Sequence, residues 1–146
     1  QVGTPQEVYR NPASRMVAEF IGETNLIEAT VQGRSAEAGF FEVQTAFGTL
    51  RARANQQDWQ PPTGTAVILS VRPEALTFGH VLDSPNRFPG HIVDTIYLGT
   101  TAQYELQLHG GPLMKACEIN PTTIRVPSAE ETRLMAAPAD VVMLPR

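Results

Sequence analysis

Apolar and polar residues alternate over most of the chain after Gly22, and this period of two predicts a series of short β-strands. The alternation is clearest over 102–109, and Gly110 and Gly111 then indicate a tight hairpin turn. The residues of this strand that are predicted to face inward are Ala102, Tyr104, Leu106 and Leu108. Further strands are predicted at 27–32, 40–45, 48–53, 66–72, 76–78, 90–98, 113–119, 133–136 and 141–144.

Turn-forming residues separate these strands and indicate the class of fold. The chain has 12 prolines and 11 glycines among its 146 residues, with clear loops at 60–64 and 84–86. Hydrophobic residues make up 42% of the chain and charged residues 18%, which is enough apolar content to bury a core. Short strands spaced by turns favour an all-β fold, a small OB-like barrel or sandwich, over a parallel sheet.

The predicted strands also contain an internal repeat, which indicates two similar β-meanders in tandem. We expect pseudo-repeats at about 26–79 and 88–146, within a β-domain that spans 23–146. Chance alternation of strand residues is the alternative explanation. The matched segments are Phe41–Gln44 with Tyr104–Gln107, Gly48 with Gly111, Leu50 with Leu113, and Val71–Leu76 with Ala137–Val142.

The first 22 residues have a helical pattern and are predicted to form a helical linker. Thr4 and Glu7 make a capping box, and Pro12 separates this first turn from a second helix. The chain begins without an initiator Met, so we interpret residues 1–22 as the tail of a preceding domain. The residues that share one apolar face, and that we expect to contact that domain, are Met16, Val17, Phe20 and Ile21.

The charge distribution argues against binding to nucleic acid. The net charge is -4 and the sequence pI is about 5.3, with basic residues scattered along the chain. A protein that binds the phosphate backbone needs grouped cations, and no such group is present in the sequence.

No catalytic or metal-binding motif is found in the sequence. The three histidines, His80, His91 and His109, are far apart and lack ligand spacing, so no metal site is predicted. The phosphate-loop pattern G-x-x-x-x-G-K-[ST] has no match either. Cys117 has no partner for an internal disulfide and is expected to be a small buried apolar residue. We therefore predict no catalytic, cofactor-binding or metal-binding residue in this chain.

The most notable polar cluster in the sequence is Arg72-Pro73-Glu74. It follows an apolar strand at the point where the chain must turn. Pro73 fixes the backbone there, so that Arg72 and Glu74 project side by side. One interpretation is a rigid corner with a local ion pair of little energetic value. The other is a contact for a small anion or a partner surface, since the arginine fork suits carboxylate or phosphate.

Three motifs occur in order along the chain and are more informative together than any one alone. They resemble the C-terminal TOBE (transport-associated OB-type) domain of ABC importer ATP-binding subunits. Residues 21–25 and 97–101 are most similar to the spermidine/putrescine (polyamine) subgroup. The motifs are Gly3-Thr4-Pro5 with Glu7, Tyr9, Pro12, Phe20-Ile21-Gly22-Glu23 and Asn25, then Ser70–Glu74, then Ile96–Gly99 with Tyr104 and the closing residues 140–145.

The resemblance implies a non-catalytic regulatory and dimerisation domain of a transport ATPase, whose nucleotide-binding residues precede Gln1. ATP and Mg²⁺ would then belong to the full-length parent. The implied partners are a second copy of the chain, the ATPase domain and the permease subunits, with no nucleic acid. The implied location is the cytoplasm, peripheral to the inner face of the membrane. The alternative is an oxyanion-sensing OB-type module of a sulfate, iron(III) or sugar importer ATPase.

Overall fold

The computed structural model describes residues 24–79 and 84–146, and this part of the chain consists of strands, turns and loops. The predicted linker 1–22 and its apolar face lie outside the described residues, so both stay predictions. Two 3₁₀ turns, Pro73–Ala75 and Pro138–Asp140, interrupt the strands. The strands are β1 Asn25–Arg34, β2 Phe40–Thr45, β3 Gly48–Ala54, β4 Ala66–Val71, β5 Thr77–Phe78, β6 Gly90–Tyr97, β7 Thr101–Leu108, β8 Leu113–Ile119, β9 Leu134–Met135 and β10 Val141–Pro145.

Five of the strands form a closed barrel in the order β1-β2-β3-β10-β4. The meander β1-β2-β3 supplies three of them, and β4 returns antiparallel to β1. The last strand, β10, then enters between β3 and β4, parallel to the first and antiparallel to the second. Closure of the barrel pairs the backbone N–H and C=O groups of strands that would otherwise be open edges of the sheet. The predicted all-β OB-like barrel is confirmed.

The second meander, β6-β7-β8, packs against this barrel and shares its core. The alternation predicted for β7 is confirmed, because its four inward residues are all at most 2% exposed. Their side chains join those of the barrel in one continuous apolar cluster that also includes Phe41, Leu69, Phe88 and Met143. The burial of this shared face holds the two meanders together.

The two halves of the structure are related by a common strand-pairing register. Two strands of the first half pair with two strands of the second: β4 pairs with β10, and β5 pairs with β9. Both pairs are antiparallel. Each meander also carries a β-bulge at the same place, after Val31 in β1 and after Ile92 in β6. The corresponding pairs are Ser70↔Val142 and Met135↔Thr77, then Leu69↔Met143 and Leu134↔Phe78. The prediction of two similar β-meanders is therefore confirmed, while the exact domain boundaries stay a prediction.

Two details of the predicted repeat are wrong. Pro73 corresponds to Pro138, so residues 71–76 correspond to 136–141 and not to 137–142. The match of Leu50 with Leu113 and of Gly48 with Gly111 is wrong as well. Leu50 is buried and pairs with Val43, and the residue in the same position of the second half is Met114, opposite Leu106. Leu113 is 54% exposed. The cause is the length of the turn: two residues, 46–47, lie between the paired Thr45 and Gly48, whereas three, 109–111, lie between Leu108 and Pro112, which are joined by a backbone hydrogen bond. Residues after the second turn are therefore displaced by one position.

Two buried asparagines connect the halves reciprocally. The Asn86 Oδ1 atom accepts a hydrogen bond from the Arg51 backbone N at 2.6 Å, and its Nδ2 donates to the Arg51 backbone O at 2.8 Å. Asn25 makes the corresponding pair with Lys115, at 2.7 Å from the backbone N and 2.8 Å to the backbone O. Each carboxamide thus makes the same pair of backbone hydrogen bonds to the third strand of the opposite meander that a neighbouring strand would make.

The surroundings of the two asparagines fix their side chains. Asn25 also donates to the backbone O of Val71 at 3.1 Å, at the end of β4. The backbone N of Asn86 donates to the hydroxyl of Ser84, which itself donates to the backbone O of Ala136 at 2.6 Å. Asn25 is 7% exposed and Asn86 is fully buried. Their donors and acceptors are therefore satisfied by protein and not by solvent, as buried polar groups require.

We expect Asn86→Ala to lower the free energy of unfolding by about 2–4 kcal/mol, because two hydrogen bonds are lost and the Arg51 backbone groups are left unsatisfied. Asn25→Ala is expected to have an effect of similar size. Urea denaturation of the two variants measures both losses. Gln32→Ala removes a carboxamide that bonds to Gln44 in an exposed position and is the matched control, expected to stay within about 0.5 kcal/mol of wild type. A loss for Asn86→Ala as small as that of the control would contradict the structural role.

Candidate functional site: a charged cleft between the two meanders

The structure places the predicted pair Arg72 and Glu74 at the wall of a cleft of about 230 Å³. The cleft lies between the 3₁₀ turn that follows β4 and the outer face of the second meander. Its other charged lining residues are Asp94 on β6, Glu105 on β7 and Lys115 on β8. The remaining lining residues are Pro73, Ile96, Gln103, Tyr104, Ala116 and Cys117.

The turn that carries Arg72 and Glu74 is built as the sequence predicts. Arg72 has an extended backbone, Pro73 is the first residue of the 3₁₀ turn, and the turn closes with Ala75 donating to the backbone O of Arg72. The Arg72 Nε atom lies 3.5 Å from Glu74 Oε1. Because Glu74 is 43% exposed, this ion pair by itself contributes little to stability.

Three charged residues form a row across the second meander at the cleft. Asp94 is paired directly with Glu105 on the neighbouring strand, and Glu105 is paired with Lys115 on the next. Like charges in directly opposed positions repel, whereas Glu105 and Lys115 attract. Counting Arg72 and Glu74, the cleft presents three carboxylates and two cations. Sequence reasoning missed this row because its members belong to three different strands.

Comparison of the two halves shows how the surroundings of the two 3₁₀ turns differ. In the first half, Arg53 on β3 extends to the 3₁₀ turn after β9 and donates from Nε to the backbone O of Ala139 at 2.7 Å. The residues in the corresponding positions are Cys117 and Glu74. A cysteine is too short to cross the gap, so the space remains. Cys117 is half-buried in the cleft wall, which corrects the prediction that it is a buried core residue.

Tyr104 forms the inner side of the cleft and anchors the loop that follows β8. Its hydroxyl donates to Glu118 Oε1 at 2.8 Å and accepts from the Arg125 backbone N at 3.2 Å. The Arg125 side chain pairs with Glu118 at 3.2 Å and lies 4.2 Å over the ring of Phe78. Burial is the main cause that raises the pKa of Tyr104 above its usual value.

Two findings on metal ions and membranes concern residues 24–79 and 84–146. No group of three or more His, Cys, Asp or Glu side chains is placed to hold a metal ion. No helix in this part of the chain has the length and apolar character needed to cross a membrane.

The fold and the motif around the cleft define the class of protein. Residues 69–144, more than half of the chain, match the family described as the TOBE domain. The matched region begins within β4 and includes the Arg72–Glu74 turn, the second meander and β10. The chain belongs to the TOBE domain family, and the predicted resemblance is confirmed.

Curated relatives connect this domain to importer ATP-binding proteins. The chain is 35% identical over 113 residues to the spermidine/putrescine import ATP-binding protein PotA of Trichormus variabilis, covering 76% of the chain and 29% of that protein. It is 34% identical over 137 residues to PotA 1 of Pseudomonas aeruginosa, covering 94% of the chain and 36% of the relative. The Fe(3+) ions import ATP-binding protein FbpC of Agrobacterium fabrum is 34% identical over 113 residues, covering 77% of the chain and 30% of that protein. The chain thus spans about a third of the length of these relatives.

A solved structure shares the fold. The cytoplasmic molybdate-binding protein ModG, determined with molybdate bound, aligns with a TM-score of 0.71 over 84% of this chain and 96% of that one. The sequence identity is 17%, so the likeness concerns the fold alone.

We expect Tyr104→Phe to lower the free energy of unfolding by about 1–2 kcal/mol at pH 7, through loss of the bond to the Glu118 carboxylate. The pKa of Tyr104 is raised in the folded state, so the unfolded chain releases the proton first as the pH rises. The contribution of Tyr104 to the free energy of unfolding is therefore complete below about pH 10 and decreases above it. The difference in the free energy of unfolding between wild type and Tyr104→Phe should therefore become smaller between pH 9 and pH 11. Urea denaturation across this range measures it.

The matched control is Tyr97→Phe, which alters a tyrosine that is 55% exposed. If the difference between wild type and Tyr104→Phe were to grow with pH, the assigned direction of the pKa would be wrong.

Proposed function

We propose that the chain is a non-catalytic regulatory and dimerisation domain at the C-terminus of an ABC importer ATP-binding protein, and that the importer takes up polyamines. The observation that carries the proposal is membership of the TOBE family together with relatives that are import ATP-binding proteins, of which the chain spans about a third. In this proposal ATP and Mg²⁺ bind elsewhere in the parent protein. The partners are a second copy and the permease subunits, at the cytoplasmic face of the membrane.

The charge of the cleft supports a polyamine over an anion as its ligand. An anion approaching Arg72 or Lys115 would also approach Glu74 and Glu105, which are next to them. A linear polycation instead places ammonium groups near several carboxylates, and it would reduce the repulsion between Asp94 and Glu105. The PotA relatives are named for spermidine and putrescine, which agrees with this chemistry.

We expect the isolated chain to bind spermidine more tightly than putrescine, because spermidine carries an additional ammonium group for the carboxylate row. Glu105→Gln and Glu74→Gln should each weaken spermidine binding by about three- to fivefold, equivalent to roughly 0.5–1 kcal/mol per exposed charge pair. Cys117→Arg should abolish binding, since an arginine at this position can cross the gap as Arg53 does in the first half. Isothermal titration calorimetry measures all three variants.

The matched control is Glu28→Gln, which removes an exposed carboxylate paired with Arg146 on the barrel and is expected to leave binding unchanged. The same titration with molybdate, sulfate and phosphate tests the alternative of an oxyanion-sensing module, for which Arg72 would supply the charge. Binding of an oxyanion without binding of a polyamine would favour that alternative. No binding by any of these ligands would restrict the domain to an assembly role.

Dimerisation and the absence of catalysis are tested together by sedimentation and nucleotide titration of the chain. We expect self-association that increases with concentration, and no hydrolysis of ATP. A strict monomer at high concentration that hydrolyses ATP would contradict the proposed function.

A further inference from the structure

Folding brings together two histidines that are far apart in the sequence, His91 on β6 and His109 directly after β7. Their ring centroids are 5.9 Å apart, with the ring planes inclined by 39°. His91 is paired with Gln107, and His109 is two residues further along, so the two side chains lie diagonally on one face of the sheet. Neither histidine lines the cleft, so the pair is separate from the ligand site of the proposed function.

The backbone holds both histidines firmly. The His109 backbone N donates to the Pro89 backbone O at 2.8 Å, which continues the ladder between the two strands. The strands approach closely beside the pair: a Cβ atom at Gly90 would lie 2.5 Å from the Gln107 backbone O. Only glycine allows this approach. The separation of the two rings is therefore set by strand pairing and not by the choice of side-chain rotamer alone.

We propose that His91 and His109 form a binding site for a divalent transition-metal ion of the class that prefers imidazole, such as Zn²⁺, Ni²⁺ or Cu²⁺. Imidazole nitrogens bind such ions at about 2.0–2.1 Å, which places the two ring centroids roughly 5–6.5 Å apart on either side of the ion. The observed separation of 5.9 Å falls in this range. Small rotations of the two rings would direct one nitrogen of each toward a common point.

His91 and His109 are the two ligands of the site among the described residues, where no third His, Cys, Asp or Glu side chain completes a group of three. Coordination positions not taken by the protein would be open to water or an added ligand. The ion would be exchangeable, and it would connect β6 to the end of β7. Binding to the folded chain alone would raise its stability in proportion to the logarithm of the metal concentration.

The test is calorimetric titration of the untagged full chain with ZnCl₂ and with NiCl₂. We expect one ion bound per chain, with an affinity that His91→Gln and His109→Gln each weaken by about tenfold or more, since each removes a direct ligand. CaCl₂ should not bind at this site, because Ca²⁺ prefers oxygen ligands. The matched control is Glu28→Gln, which alters an exposed carboxylate on the barrel and is expected to leave the affinity unchanged.

A second measurement uses the unaltered chain and does not depend on the folding of any variant. Paramagnetic Ni²⁺ should broaden the imidazole NMR signals of His91 and His109 together, at the same metal concentration. Broadening of one of the two without the other would overturn the proposal. So would a loss of affinity in Glu28→Gln as large as in His91→Gln.

Discussion

The reciprocal asparagine contacts are the constraint on which the arrangement of the two halves depends. The shared apolar core pulls the meanders together, but burial of apolar surface is non-directional and does not fix their relative register. Asn25 and Asn86 do fix it, because each carboxamide fits a single backbone N–H and C=O pair on the opposite third strand, at Lys115 and at Arg51. The positions of the 3₁₀ turns, and hence of the cleft, follow from that register.

The same pseudo-symmetry relates the surroundings of the two 3₁₀ turns. Each turn begins with proline and lies against the third meander strand of the other half. At the turn Pro138–Asp140, Arg53 of β3 crosses from strand to turn and donates to the backbone O of Ala139. At the turn Pro73–Ala75, which borders the cleft, the corresponding strand residue is Cys117, and Glu74 stands in the place of Ala139. Two differences between the halves therefore remove an arginine contact and add a charge at the same point.

Sequence reasoning predicted the strands well because each is determined locally by alternation and by turn residues. It predicted the corner at Arg72 and Glu74 for the same reason, since Pro73 is a local signal. It missed the repeat register after the second turn, where one additional turn residue places Met114 rather than Leu113 in the core. It also missed Asn25 and Asn86, because the pairing of a side chain with a distant backbone leaves no periodic signal.

The contacts around Tyr104 show why the cleft can remain open without weakening the fold. An open space next to a core normally costs stability through lost contacts. Tyr104 lines the cleft, but its ring is buried in the core, and its hydroxyl is held by Glu118 and by the Arg125 backbone. Arg125 in turn covers Phe78, which packs edge-on against Tyr104. The apolar core is therefore packed independently of the charged residues that line the cleft, so these residues can change without exposing it.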